Sequence, residues 1–115
     1  MTTLFSKTEN GKVFLCSKCN EIHIEYKNLN FNFSGEEFKN FSNYFIKLQP
    51  DEWEFKNRDS FYNRKIIIPI GHKNFNMMLN REELLEFKQL LNLKKYQNQF
   101  QMISTSLMNF IQFNN

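Results

Sequence analysis

Cys16 and Cys19 make a CxxC in the run FLCSKCNEIHIEY, and His23 follows four residues after the second thiol. Two thiolates at this spacing, carried on a tight turn, aim at one tetrahedral metal and form half of a zinc knuckle. The chain holds only two Cys and two His, the second being His72, so a closed Cys2His2 site would use all four. Two other readings stand beside zinc. One takes Cys16 and Cys19 as ordinary reduced thiols, the default for a cytosolic chain. The other takes them as a thioredoxin-like redox pair, which needs a helix N-terminus to lower the thiol pKa. The flanking residues read as strands, which argues against redox chemistry.

Other chemistry-bearing residues have plainer explanations. Glu36-Glu37 and Glu82-Glu83 look like catalytic carboxylate pairs, but they fall where helices begin, and acidic residues there serve the macrodipole and the cap. Gly11, Gly35 and Gly71 build no phosphate-binding loop, and neither GxSxG nor HExxH occurs. No enzyme activity is expected.

The elements that must position the thiols are written in an internal repeat. Ile22 to Phe45 (IHIEYKNLNFNFSGEEFKNFSNYF) aligns without a gap on Ile68 to Leu91 (IPIGHKNFNMMLNREELLEFKQLL). Such a duplication is strong evidence about architecture. Each copy reads as strand, turn, strand, helix. In the first, Ile22, Ile24 and Tyr26 alternate with His23 and Glu25, and Leu29, Phe31 and Phe33 alternate with Asn30 and Asn32. A two-residue turn at Lys27-Asn28 pairs Tyr26 with Leu29, Ile24 with Phe31 and Ile22 with Phe33, with Asn28 suited to positive φ. The second copy predicts the same around Lys73-Asn74, with Ile66, Ile68, Ile70 and His72 inward and Pro69 marking an edge or a bulge.

That register bears on the metal. It puts His23 on the outward face and His72, in the place of Tyr26, on the inward face. A four-ligand site within the chain is therefore not expected. The leading expectation is two structural thiols and no cofactor; the metal site that the spacing allows beside it is Cys16, Cys19 and His23, binding zinc and completed by a carboxylate or by a second subunit.

Ser34 with Glu37, and Asn80 with Glu83, have capping-box spacing. Phe38, Phe41, Tyr44, Phe45 and Leu48 stripe the first helix, and Leu84, Phe87, Leu90 and Leu91 the second. Pro50 is expected to end the first helical region. The linker DEWEFKNRDSFYNR brings Trp53, Phe55, Phe61 and Tyr62, expected to cover the core. Val13 to Cys16 predicts one extra N-terminal strand. Beyond Leu91, Leu93, Tyr96, Phe100, Ile103, Leu107 and Phe110 keep a helical seam, which predicts a helix to about residue 113 that folds back or meets a second copy.

The composition bounds the rest. A chain of 115 residues fits one domain, here 1–115, with a first unit over 12–48, a linker over 49–64 and a second unit over 65–113. Fourteen Phe beside a single Val and no Ala reflect an AT-rich coding sequence rather than a function. The opening MTTLFSKTENGK lacks the apolar run of a signal peptide, and no segment reaches the roughly 20 apolar residues of a membrane span, so a cytoplasmic setting is expected. The net charge of +3 is mild and interspersed, unlike the one-sided excess of most nucleic-acid binders.

The run FLCSKCNEIHIEYKNLNFNFSGEEFKNF resembles the opening of small bacterial proteins, chiefly from the Bacteroidetes, that form a family of unknown function. The likeness rests on Cys16, Cys19, the Ile22-His23-Ile24 strand, the Asn28 turn and Phe38/Phe41, and it extends to about Leu91. It implies no activity. The expected fold is α+β: two pseudo-symmetric ββα units forming an antiparallel sheet, helices on one face, an extra N-terminal strand and a long C-terminal helix. The expected role is a non-enzymatic interaction or regulatory module that associates with itself as a homodimer. Its contact surface is placed at Trp53, Phe55, Tyr96, Phe100, Ile103 and Leu107. A small nucleic-acid-binding protein and a zinc-knuckle protein are the alternatives.

Overall fold

Period-two alternation produces six strands and apolar stripes produce three helices in the computed structural model, which describes residues 2–93. The order is β1 (Thr2–Thr8), β2 (Gly11–Cys16), β3 (Glu21–Tyr26), β4 (Leu29–Phe33), α1 (Gly35–Ile46), α2 (Pro50–Lys56), β5 (Ile66–Ile70), β6 (His72–Leu79) and α3 (Arg81–Leu91). The fold is α+β, and both ββα units are present as β3-β4-α1 and β5-β6-α3. Their strands do not share one ladder. β1 to β4 form a four-stranded antiparallel meander, and β5 and β6 pair separately. Two strands precede the first unit rather than one. β1 lacks a continuous apolar run: Phe5, at 2% exposed, is its one buried apolar side chain, beside buried Ser6, and backbone pairing with β2 does the rest.

The first hairpin has the expected pairs, Ile22 with Phe33, Ile24 with Phe31 and Tyr26 with Leu29. Its positive φ falls on Lys27 (53°), one residue before Asn28. The Lys27 amide donates to the Asn10 carbonyl at 2.8 Å, so the β1–β2 turn braces it.

The second hairpin departs from its copy. Leu79 pairs with Ile66, not with Ile68, and Met77 pairs with Ile68. The chain turns at Gly71, whose φ of 67° suits a residue without a Cβ, instead of at Lys73-Asn74. The first unit has Glu25 at the matching position and cannot turn so early. A slip of two residues preserves parity, so Ile66, Ile68, Met77 and Leu79 remain buried. The residues near the turn lose their cover: His72 is exposed rather than inward, and Phe75 is 67% exposed.

Both helices carry reciprocal capping boxes. Glu37 N–H donates to Ser34 Oγ (3.2 Å) while Ser34 N–H donates to Glu37 Oε1 (2.8 Å). Asn80 and Glu83 repeat this at 2.8 Å in both directions. Pro50 opens α2 at its first turn rather than closing α1, which ends at Ile46. Because α2 has only seven residues, one face meets the core: Pro50 is buried and Trp53 packs against the cluster. Phe55 (68%), Phe61 (104%) and Tyr62 (57%) stand exposed, contrary to the expectation that they cover the core.

The core joins the two units. Phe87 of α3 meets Phe45 of α1 at 4.9 Å between ring centroids and Tyr26 of β3 at 5.2 Å. Leu84, Phe87, Leu90 and Leu91 are all buried. Glu83 adds a polar tie: besides capping α3 it accepts from Lys27 Nζ (2.5 Å) and from Arg64 Nε (2.7 Å). Glu86 accepts from Asn10 (2.9 Å) and from the Tyr26 hydroxyl (3.1 Å). Leu93 packs on the core. Tyr96, Phe100, Ile103 and Leu107, and the helix expected beyond residue 93, lie outside the described residues.

Candidate metal centre

Cys16 ends β2 and Glu21 begins β3, and these two residues pair across the hairpin. The four residues between them, Ser17 to Asn20, make the turn that carries the CxxC. Asn20 N–H donates to the Cys16 carbonyl at 2.9 Å, and Asn20 takes φ 54°, a conformation that Asn tolerates better than most residues. The turn folds Cys19 back over Cys16. His23 lies two residues into β3, paired with Phe14 on one side and Asn32 on the other. All of these side chains share the outward face of the four-stranded sheet.

The ligand atoms of Cys16, Cys19 and His23 lie within 4.8 Å of one another. Cys19 Sγ is 3.2 Å from His23 Nε2. A tetrahedral zinc with bonds of ~2.3 Å to sulfur and ~2.05 Å to nitrogen separates its donors by roughly 3.5–3.8 Å. The three atoms therefore need adjustments on the order of an ångström to share one ion. Neither thiol is bridged, and Cys19 is exposed. Among the described residues no fourth His, Cys, Asp or Glu joins the group.

Electrostatics of the turn favour a thiolate. The backbone N–H of Cys19, then its thiol, and the backbone N–H of Lys18 hold the Cys16 pKa down at about 7. Hydrogen bonding to Cys16 pushes the Cys19 thiol up, so the first proton leaves from the pair as a unit. The same amides would stabilise the sulfur of a metal-bound Cys16.

His23 is oriented from behind. Its Nδ1 lies 2.5 Å from Asn32 Oδ1. Asn32 Nδ2 donates to Asn30 Oδ1 at 3.0 Å, and Asn30 Nδ2 donates to the Ile24 carbonyl at 3.3 Å. With its amide so assigned, Asn32 presents an oxygen that can only accept, and His23 Nδ1 must carry the proton. Nε2, the nitrogen left to accept, then faces the Cys19 thiol at 3.2 Å. Metal-ligating histidines are commonly held this way through their other nitrogen. The Phe14 ring, 5.1 Å from the imidazole centroid, covers one side.

The sequence places Cys16, Cys19 and His23 together, and the structure does the same. His72 takes no part, though for a different reason from the one expected: it is exposed at the β5–β6 turn of the other sheet, where its Nδ1 accepts from Asn74 N–H at 3.1 Å. Read from the sequence, Asn32 and Phe14 hold strand positions but no place at the site. Asn32 was within its reach, since pairing Ile22 with Phe33 sets His23 opposite Asn32. At the expected contact surface Trp53 is half-buried under Lys56 (5.3 Å), and Phe55 is exposed under Arg58 (4.0 Å).

No helix among the described residues is long and apolar enough to cross a membrane. No curated protein and no solved structure matches the chain. The family resemblance carried by the CxxC hairpin extends over the whole sequence: across residues 1–115 the chain matches, and belongs to, a family of unknown function (DUF6686).

Proposed function

We propose that this protein is a non-enzymatic interaction module that holds a zinc ion at Cys16, Cys19 and His23. The convergence of three ligand atoms within 4.8 Å on one outward face carries this reading. Metal there would stiffen the tip of the β2–β3 hairpin, whose turn residues Ser17, Lys18, Cys19 and Asn20 are all exposed. A cytoplasmic setting, which keeps both thiols reduced, fits the proposal. Protein partners have two apolar surfaces to meet. One is exposed Phe55; the other is a groove of about 580 Å³ between β4, α1 and β5, lined by Phe31, Phe33, Phe41, Tyr44 and Ile70. Self-association belongs to the same proposal.

Native mass spectrometry of the purified chain tests both parts. The expected result is one zinc per chain, lost in Cys16→Ser, Cys19→Ser and His23→Ala, and a subunit count above one. Chains that stay metal-free in added zinc would sink the metal reading, and a strict monomer the self-association.

Nucleic-acid binding is supported less. Lys56, Arg58, Arg64 and Lys65 surround exposed aromatics, but Asp51, Glu52, Glu54 and Asp59 interleave with them, and Arg64 is paired with Glu83. Retention on single-stranded DNA that falls steeply with salt would reinstate it.

A further inference from the structure

Structural zinc is almost always four-coordinate, whereas three protein ligands leave a position for an exchangeable donor. A fourth ligand from within the chain would have to be another Cys, His, Asp or Glu. Residues 94–115 contain no Cys, His, Asp or Glu. The only remaining histidine, His72, sits at the turn of the second sheet. No carboxylate among the described residues approaches the three donors closely enough to join them. Glu21 is the nearest acid in the hairpin, paired across from Cys16, and its oxygens lie outside the group. The open side faces solvent, since Ser17, Lys18, Cys19 and Asn20 are all exposed.

We infer that a metal held by Cys16, Cys19 and His23 keeps one coordination position open and takes there a single external donor, an imidazole or thiolate side chain of a protein partner. This rests on the zinc reading above. Two thiolates and a neutral imidazole balance the charge of a divalent ion, so the centre gains little from a further hard anion. Nitrogen and sulfur donors suit such a site better than carboxylate oxygen. The metal becomes a contact point: partner binding replaces a coordinated water, and the partner is selected by a donor atom at the centre of the contact rather than by area alone.

Cobalt(II), which reports its coordination through visible bands, tests this in the full-length chain. One Co²⁺ per chain is expected. Added imidazole should shift the bands and saturate at one imidazole per metal, equally in the wild type and in Glu21→Gln, with native mass spectra showing no metal-dependent dimer. Bands indifferent to imidazole in the wild type but responsive in Glu21→Gln would overturn the inference, because Glu21 then closes the site. A dimer that forms only with metal, and bands indifferent to imidazole, would overturn it in favour of a ligand from a second copy. Failure to bind Co²⁺ at all would instead remove the metal reading on which it rests.

Discussion

His23 and Asn32 face each other across β3 and β4, with Nδ1 and Oδ1 2.5 Å apart. That contact selects the tautomer whose Nε2 can bind a metal beside Cys19. Asn32→Ala should therefore weaken zinc affinity about 10- to 100-fold, while Asn32→Asp, which keeps an acceptor, should remain much closer to the wild type. Competition with a chromophoric chelator measures both. Equal affinity in Asn32→Ala would show that the contact does not orient the ligand.

Zinc should also stabilise the fold. A ligand present at 100 times its Kd and bound only by the folded chain adds about 2.7 kcal/mol. Thermal unfolding with and without zinc should show a higher midpoint in the wild type and none of that gain in Cys16→Ser. Because the ligands must be deprotonated, the gain should fade in acid.

Glu83 predicts a second acid effect in metal-free protein. Burial raises its pKa, but Arg64, Lys27 and the Asn80 N–H outweigh burial and bring it from an ordinary 4.5 to about 2. A carboxylate depressed on folding contributes stability that is complete above the unfolded pKa and is lost as pH falls from about 5 towards 2. The difference corresponds to at most about 3 kcal/mol, since Lys27 and Arg64 are themselves 41% and 48% exposed. Urea titrations at pH 7 and pH 3 should show part of this loss in the wild type, since pH 3 lies within that window, and a smaller one in Glu83→Gln.

Core and surface aromatics should separate sharply. Phe87→Ala removes a ring that touches Tyr26, Phe31, Phe41 and Phe45 and should cost about 3–5 kcal/mol. Phe55→Ala, at an exposed position, should stay within about 0.5 kcal/mol. Denaturant midpoints at constant slope check the pair.

Gly11 and Gly71 should both resist alanine, for different reasons. A Cβ at Gly11 would lie 2.6 Å from the Glu25 carbonyl oxygen and 2.8 Å from Leu90 Cδ2, forcing a shift that costs about 1–3 kcal/mol. At Gly71 space is open, and the penalty is the positive φ, about 1–2 kcal/mol. Adding Leu90→Ala should relieve part of the Gly11→Ala penalty and none of that at Gly71, as a double-mutant cycle would show.

Much of this was written locally. The first hairpin's register follows from alternation and turn length together: any odd slip would turn Ile22, Ile24 and Tyr26 outward, and a two-residue turn at Lys27-Asn28 excludes the even ones. Both capping boxes follow from spacing, as does the CxxC at a turn between strands. The second hairpin did not follow. Its repeat matches the first residue by residue, yet an even slip keeps Ile66, Ile68, Met77 and Leu79 inward and satisfies the pattern equally well. Gly71 then chose the turn.

Periodicity and spacing thus specified the elements, their inward faces and the three donors brought to one outward face. Contacts between distant residues specified the rest. The division into two sheets, the pairing of β1, the exposure of Phe55 and the dual role of Glu83 all depend on what lies opposite in space. No local pattern encodes such neighbours. His23 shows the boundary: its side of the strand is a matter of parity, while its tautomer depends on Asn32, Asn30 and the folded meander that holds them in line.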